Sequence, residues 1–389
     1  QDDSGHNMKP IPHGLARGRE IKKKFSPDEW THFTEDVLWL QRESTGFTSK
    51  LWRQMLQDHG YNGTPGWMLV AKPLTHLFSI SAIKILCSLD LLLLVGTCLF
   101  MASVYSSATA MWLWLFFMTS YSLRWPTITW AFLRYDYICA LLIAMGLLKR
   151  GKGFWAGILS GYAVSARLFP ALWMFGPFFK GVFGLLARKL HRNVLMLGIG
   201  CIVGIGAIQA TAVVSFGADP VQTHFHNMID HNKADQLSSR RIGMALALPF
   251  RGETLPKYIE TERKETIQRQ RPLRFALAGA FMLLMGWGLR NKDDDETFAM
   301  GFIPFFLLTT ASYYYYVARA TLIVLHAGNI KHKRHQFGLF WLLGLELFSN
   351  ASESLLSGHR VFLVGSLSWG LLIYTSVLTV WLLVENIKK

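Results

Sequence analysis

Cysteine is scarce and scattered here. The 389 residues hold four, Cys87, Cys98, Cys139 and Cys201, and none is paired at a metal or redox spacing. A zinc ribbon and a disulfide framework are thereby excluded. Each cysteine falls in an apolar segment, where a free thiol packs as a small hydrophobe. Acids are outnumbered, with 25 Asp and Glu against 40 Lys and Arg. The chain is also 51% hydrophobic, and its basic residues gather in loops between apolar runs. That pattern belongs to membrane-flanking loops, so nucleic acid is not an expected partner. No repeat of fixed period and no low-complexity tract occurs, which excludes solenoids and propellers. Residues 1–60 carry no signal peptide and are balanced, with nine Lys and Arg against nine Asp and Glu. The chain opens on Gln1, and a first apolar span is expected to precede it.

What is present is a series of apolar runs, at 81–105, 108–123, 128–148, 194–215, 273–289 and 362–385. Three more runs are irregular: 153–179, 298–328 and 336–349, the last short for a full span. Basic loops at Lys149–Lys152, Lys180–Arg192, Arg290–Lys292 and Lys331–Arg334 are placed on the inner side. The runs 153–179 and 298–328 then have basic ends on both sides and read as reentrant hairpins, turning near Arg167–Pro170 and Tyr313–Tyr316. The expected fold is an all-α polytopic membrane protein with two reentrant hairpins. Its parts are an external arm and acidic loop over 1–80, an N-terminal transmembrane module over 81–215, an external loop over 216–272 and a C-terminal module over 273–389. The acidic run Asp293–Glu296 is expected to be a solvated turn.

Arg167 carries the most information. A cation within an apolar stretch is disfavoured by about 2.5–3.5 kcal/mol on insertion scales, and a guanidinium cannot deprotonate to escape. It either faces a wet cavity and binds a buried phosphate, or forms a structural ion pair, with Asp136 or Asp90, or snorkels. Glu35 and Asp36, followed by Asp58 and His59 and the Gly/Pro-rich turn Tyr61–Trp67, place carboxylates where the chain meets the bilayer. They suit a general base, or equally the caps and surface pairs of short amphipathic helices. Tyr313 and Tyr314, in a run of four tyrosines with Arg319 just after it, line a ligand cavity or belong to an aromatic belt. Arg240 and Arg241 are candidates to meet an anion at the cavity mouth. His224, His226, Asp230 and His231 have no specific metal spacing and read as solvated loop residues.

Taken in order, several of these motifs resemble the GT-C superfamily of membrane glycosyltransferases, nearest to its polyprenyl-phosphate-mannose branch. They are the acidic Glu35-Asp36, the turn Tyr61–Trp67 leading to Lys72-Pro73-Leu74, the Gly-rich Ala156–Ala163 leading to Arg167-Leu168-Phe169-Pro170, and Ser312-Tyr313-Tyr314-Tyr315. The resemblance covers most of residues 30–330. It implies an inverting hexosyltransferase in a bacterial inner membrane, with its active face periplasmic. Membrane lipids would surround it and a lipid-phosphate sugar would be its donor. Asp36, with Glu35 next, would be the base, and Arg167 the phosphate anchor. Asp58, His59, Tyr313, Tyr314, Arg319, Arg240 and Arg241 would line the substrate. No cofactor is specified; a divalent metal is left open, since branches of the superfamily differ. The missing first span departs from the family pattern. It motivates a second reading, a non-catalytic GT-C-like subunit of a larger membrane complex that docks protein partners through its charged N-terminal arm. A transporter built on two hairpins is a third, for which no inverted repeat is found.

Overall fold

The computed structural model describes residues 18–43, 63–123, 132–233, 241–252, 260–355 and 359–387. It is helical almost throughout. In chain order the helices are α1 (Pro27–Glu43), α2 (Pro65–Leu77), α3 (Ile83–Val104), α4 (Ser107–Thr119), α5 (Asp136–Lys149), α6 (Gly153–Ala166), α7 (Phe175–Leu186), α8 (Arg192–Phe216), α9 (Ala218–Lys233), α10 (Met244–Ala247), α11 (Glu260–Arg269), α12 (Arg271–Leu289), α13 (Asp294–Ala299), α14 (Phe302–Leu308), α15 (Ala320–Gly328), α16 (Lys333–Leu355) and α17 (Arg360–Ile387). Two short strands, β1 (Arg241–Ile242) and β2 (Ala311–Ser312), pair antiparallel, with Arg241 opposite Ser312. Five apolar stretches among the described residues are long enough to cross a bilayer: Ile80–Val104, Phe169–Leu186, Arg192–Phe216, Arg271–Leu289 and Arg360–Ile387. The chain is an all-α polytopic membrane protein, as its apolar runs predict.

Both hairpins are present. The first climbs α6, turns at Arg167-Leu168, and descends through a 3-10 helix at Phe169–Met174 into α7. The second runs through α14, β2 and a 3-10 helix at Tyr313–Arg319 into α15. These elements are short for a reason visible in their length. Fourteen residues of α6 rise about 21 Å, against an apolar core about 30 Å thick. The neighbouring α8, with 25 residues, rises about 37 Å. The two run side by side in the same direction. A Cβ on Gly157 would lie 2.2 Å from the Leu197 carbonyl oxygen, and one on Gly200 would lie 2.1 Å from that of Phe154. Backbone contact of this kind lets small residues join helices where lipid offers no hydrophobic drive. The long helix continues outward, and α2 packs on that upper part, with Lys72 over the Phe216 ring at 5.4 Å.

The acidic run at the head of α13 is not a solvated turn. Asp295 and Glu296 are buried, and the run gathers the basic loops around it. Lys180 Nζ reaches Asp294 at 2.6 Å, Asn193 donates to the same carboxylate at 2.6 Å, and Lys149 lies 3.4 Å from Asp295. Tyr105 donates to Asp295 at 2.8 Å, and Arg334 to Glu296 at 2.6 Å. Arg334 also meets Glu385, which pairs with Lys292. One acidic cluster therefore meets three of the charges that mark the basic end in sequence, Lys149, Lys180 and Arg334, and α3, α5, α7, α8, α16 and α17 are tied together there. The helix α16 is also longer than its 336–349 apolar run predicts. It runs Lys333–Leu355, and within the run Glu346 and Ser349 are both buried and partnered, Glu346 by Arg319 and Ser349 by the Leu345 carbonyl. The 216–272 region carries helices α9, α10 and α11.

Replacing Arg334 with Met should destabilise the protein by about 3–5 kcal/mol, because Glu296 is left buried without its partner. Thermal unfolding in detergent measures this. An unchanged midpoint would show that the cluster does not hold the basic end together.

Candidate active site

The short helices end away from the basic loops, and the residues at those ends come together as a floor of half-buried polar and aromatic side chains. Three segments build it. The first is the entry to α5. Asp90 on α3 accepts the backbone N–H groups of Arg134 and Tyr135, each at 3.0 Å. This carboxylate caps the start of α5, satisfying donors that a helix leaves orphaned, and it fixes Arg134 at the floor. The second is the end of α6. Thr64 caps α2 by accepting the Trp67 N–H at 3.0 Å, and its hydroxyl donates to the Ala166 carbonyl at 3.2 Å. Trp67 in turn donates to the Leu133 carbonyl at 3.0 Å. The start of α2 thus bridges the first two segments. The third is the tyrosine run with β1 beside it. Arg241 donates to the Thr310 carbonyl at 3.1 Å, and Tyr316 to that of Ile242 at 2.7 Å. A Cβ on Gly243 would lie 2.3 Å from the Thr309 carbonyl oxygen, so only glycine lets the segment after β1 come this close.

Arg167 is half-buried in extended backbone at the end of α6. Its Nη1 donates to the Ala166 carbonyl at 2.8 Å, and no carboxylate pairs with it among the described residues. The sequence left Asp136 and Asp90 as partners. Asp90 caps α5 instead. Asp136 accepts from the Tyr162 hydroxyl at 2.6 Å and from the Tyr137 N–H at 2.8 Å. Even so, the charge of Arg167 acts on Asp136, Tyr162 and Tyr315. Arg134, which the sequence reading passed over, shares a neighbour with it: its guanidinium sits 4.5 Å from the Tyr314 ring centroid, and its charge also acts on Tyr315. Its signal was an arginine directly before an apolar helix, masked by the more conspicuous Arg167.

The four tyrosines divide between the core and the floor. Tyr316 is buried against Phe302 and Phe305, with ring centroids at 5.8 and 5.2 Å. Tyr313 meets Tyr121 at 5.5 Å. Tyr314 and Tyr315 stack at 4.4 Å, and Tyr315 packs on Phe169 of the first hairpin at 5.1 Å. Tyr314 and Tyr315 also feel the charge of Arg241. The structure therefore brings Arg134, Arg167, Arg241, Tyr313 and Tyr314 to one floor.

Arg319 lies elsewhere. It is 1% exposed and pairs with Glu346, also 1% exposed, at 2.5 Å, while donating to the Tyr316 carbonyl and the Ser122 hydroxyl. Its place is in the core behind the tyrosines. Asp58, His59 and Arg240 lie outside the described residues. Glu35 and Asp36 sit on α1, which packs against Ile80–Ala82, beyond the far end of α2 from Arg167. Burial pushes the Asp36 carboxyl up; His32 draws it back and Glu35 adds to the rise. Among the described residues, no group of three or more His, Cys, Asp or Glu side chains is placed to hold a metal ion.

A family model for glycosyltransferase family 87, one of the GT-C superfamily families, matches residues 61–312. The chain belongs to glycosyltransferase family 87. The match spans α2, the first hairpin's outer turn and β1–β2, and stops at Ser312, just before the tyrosine run. Membership makes this an integral membrane protein of a glycosyltransferase family. No curated protein and no solved structure matches the chain.

The signs at Asp36 give a pH prediction. If its carboxylate is the base, turnover rises with pH through an apparent value above the ordinary aspartate value of about 3.9. Removing the cation in His32→Ala should move that limb to higher pH, and Glu35→Gln should move it lower. A pH–rate profile that neither substitution displaces excludes Asp36 as the titrating group.

Proposed function

We propose that the protein transfers a sugar from a lipid-phosphate donor, of the polyprenyl-phosphate-mannose type, to an acceptor hydroxyl at the periplasmic face of a bacterial inner membrane. The observation that carries this reading is the pair of guanidiniums at the floor, Arg134 and Arg167, half-buried and without a carboxylate partner among the described residues. A buried cation left unpaired is costly unless a ligand completes it, and a guanidinium fork matches phosphate oxygens. The basic loops set the orientation, since such loops lie inside; the floor then opens outward.

In this reaction the acceptor hydroxyl gives its proton to a carboxylate and its oxygen bonds to the anomeric carbon; the family resemblance assigns that role to Asp36, with Glu35 next, although α1 packs beyond the far end of α2 from Arg167, while Asp136 is a carboxylate on which the charge of Arg167 acts. The bond from that carbon to the donor phosphate breaks, and its electron pair leaves with the phosphate. The donor is a phosphodiester; the leaving group is a monoester and carries one more negative charge. Arg134 and Arg167 therefore stabilise the transition state more than the bound donor, which is what accelerates a chemical step. Arg241, Tyr313 and Tyr314 line the same space and orient the donor.

Arg167→Gln should lower kcat by about 10²–10³, the loss typical of one preorganised electrostatic group, with a smaller change in KM. Asp36→Asn should abolish transfer by a folded protein, read with radiolabelled donor in proteoliposomes. Full activity in Asp36→Asn together with loss in Asp136→Asn would move the base to Asp136, the carboxylate nearest the charge of Arg167. A second reading, a non-catalytic subunit, is favoured by one observation: α1 packs beyond the far end of α2 from Arg167. Copurification with stoichiometric partners and no turnover from any lipid-phosphate sugar would select it.

A further inference from the structure

Asp136 begins α5 and Arg167 follows α6, two helices packed side by side. The charge of Arg167 acts on Asp136, yet the two do not form an ion pair. Each is held by something else. Asp136 is buried, and its two oxygens accept the Tyr137 N–H at 2.8 Å and the Tyr162 hydroxyl at 2.6 Å. The second bond has the length of a charge-assisted contact between a hydroxyl and a carboxylate. Arg167 donates to the Ala166 carbonyl, which also accepts the Thr64 hydroxyl. Tyr162 lies four residues before Ala166 in α6, on the same face of that helix. The hydroxyl that holds the carboxylate and the carbonyl that holds the guanidinium therefore come from one helix turn.

We infer that Tyr162 is a positioning residue: its hydroxyl occupies the Asp136 carboxylate and so keeps the Arg167 guanidinium open to an anionic ligand. The inference rests on the phosphate role of Arg167 proposed above. A buried carboxylate needs donors for its oxygens, and leaving one unfilled is costly. Without the Tyr162 hydroxyl, Asp136 would keep one donor, the Tyr137 N–H, and Arg167 is a cation whose charge already reaches it. A change of rotamer would then close an ion pair between them. An anion would have to break that pair before it could bind, and so would face a competing carboxylate at the group that recognises it. With the hydroxyl in place, the floor carries a carboxylate near its phosphate-binding cation and the two charges stay apart.

The test treats the full chain in nanodiscs with phenylglyoxal, which modifies free guanidiniums faster than paired ones, and follows the peptide containing Arg167 by mass spectrometry. No ligand is present in this first arm. Tyr162→Phe should slow modification of Arg167 about tenfold, the order expected for one charge-assisted hydrogen bond. Adding Asp136→Asn to Tyr162→Phe should restore the rate of the unmodified chain, because the neutral amide cannot form the ion pair; a packing defect would not be repaired in this way. An unchanged rate in Tyr162→Phe, or a slowing that Asp136→Asn does not reverse, overturns the inference. If Tyr162→Phe is not monodisperse, Asp136→Asn alone decides: Arg167 should react at least as fast as in the unmodified chain, and a tenfold slower reaction overturns the inference. In the second arm farnesyl phosphate is added. It should protect Arg167 in the unmodified chain, and about tenfold more of it should be needed in Tyr162→Phe. Absence of protection in the unmodified chain would remove the phosphate role of Arg167, while the rates without ligand still decide what Tyr162 does.

Discussion

The architecture depends on how charge is neutralised at the basic end. Helices that stop partway through a membrane cannot be held by length alone, since lipid gives no hydrophobic drive for their association. The acidic residues Asp293–Glu296 supply the anchorage. They meet Lys149, Lys180, Arg334, Asn193 and Tyr105, and so bind helices from both modules at one place. With one end fixed, α5, α6 and α15 can finish at mid-depth. A membrane normally forbids that, because the final carbonyls and first N–H groups of such helices would face hydrocarbon. Here the chain turns and side chains take over: Asp90 caps the start of α5, Thr64 reaches the Ala166 carbonyl, and Tyr316 reaches the Ile242 carbonyl.

The same termini place the arginines. Arg134 and Arg167 occupy the residues just before and just after short helices, where the backbone leaves regular structure and the side chain turns to the open side of the floor. Their placement follows from the hairpin geometry. Arg319 shows the opposite solution for a cation at similar position in sequence. It lies within a 3-10 turn, behind the aromatic face, and meets Glu346 in the core. Its contribution to the site is indirect. Through Tyr316 and Ser122 it holds the tyrosine turn against the chain near Tyr121, whose own N–H donates to Glu346 at 2.7 Å.

Much of this was legible in the residues, for reasons of range. Span length and hairpin turning depend on local hydropathy and on the charge of flanking loops, and both hairpins were placed correctly from those alone. The importance of Arg167 followed from one charge in one apolar run. What was not legible depends on pairs distant in sequence. The buried state of Asp295 and Glu296 needs Lys149 and Arg334, the burial of Arg319 needs Glu346, and the exposure of Arg134 to the floor needs Tyr314 across the bundle. An isolated run of four acids reads as solvated because nothing local pairs it. The true length of α16 was hidden for the same reason, since its polar residues count against a span until their partners are known.

The depth of the floor bears on what kind of donor the fold can use. The floor lies about 21 Å from the basic end, less than the thickness of an apolar core of about 30 Å, so on the proposed orientation an anion there would sit below the headgroups. A free nucleotide sugar would lose its hydration without an apolar part to offset the loss. An amphiphile does not face the same balance: its tail is already in hydrocarbon, and only its phosphate must be transferred to the arginines. Behind the tyrosine turn, Phe169, Phe302 and Phe305 close the core. On the proposed function, a floor set below the membrane surface would favour the lipid-linked form over soluble phosphate.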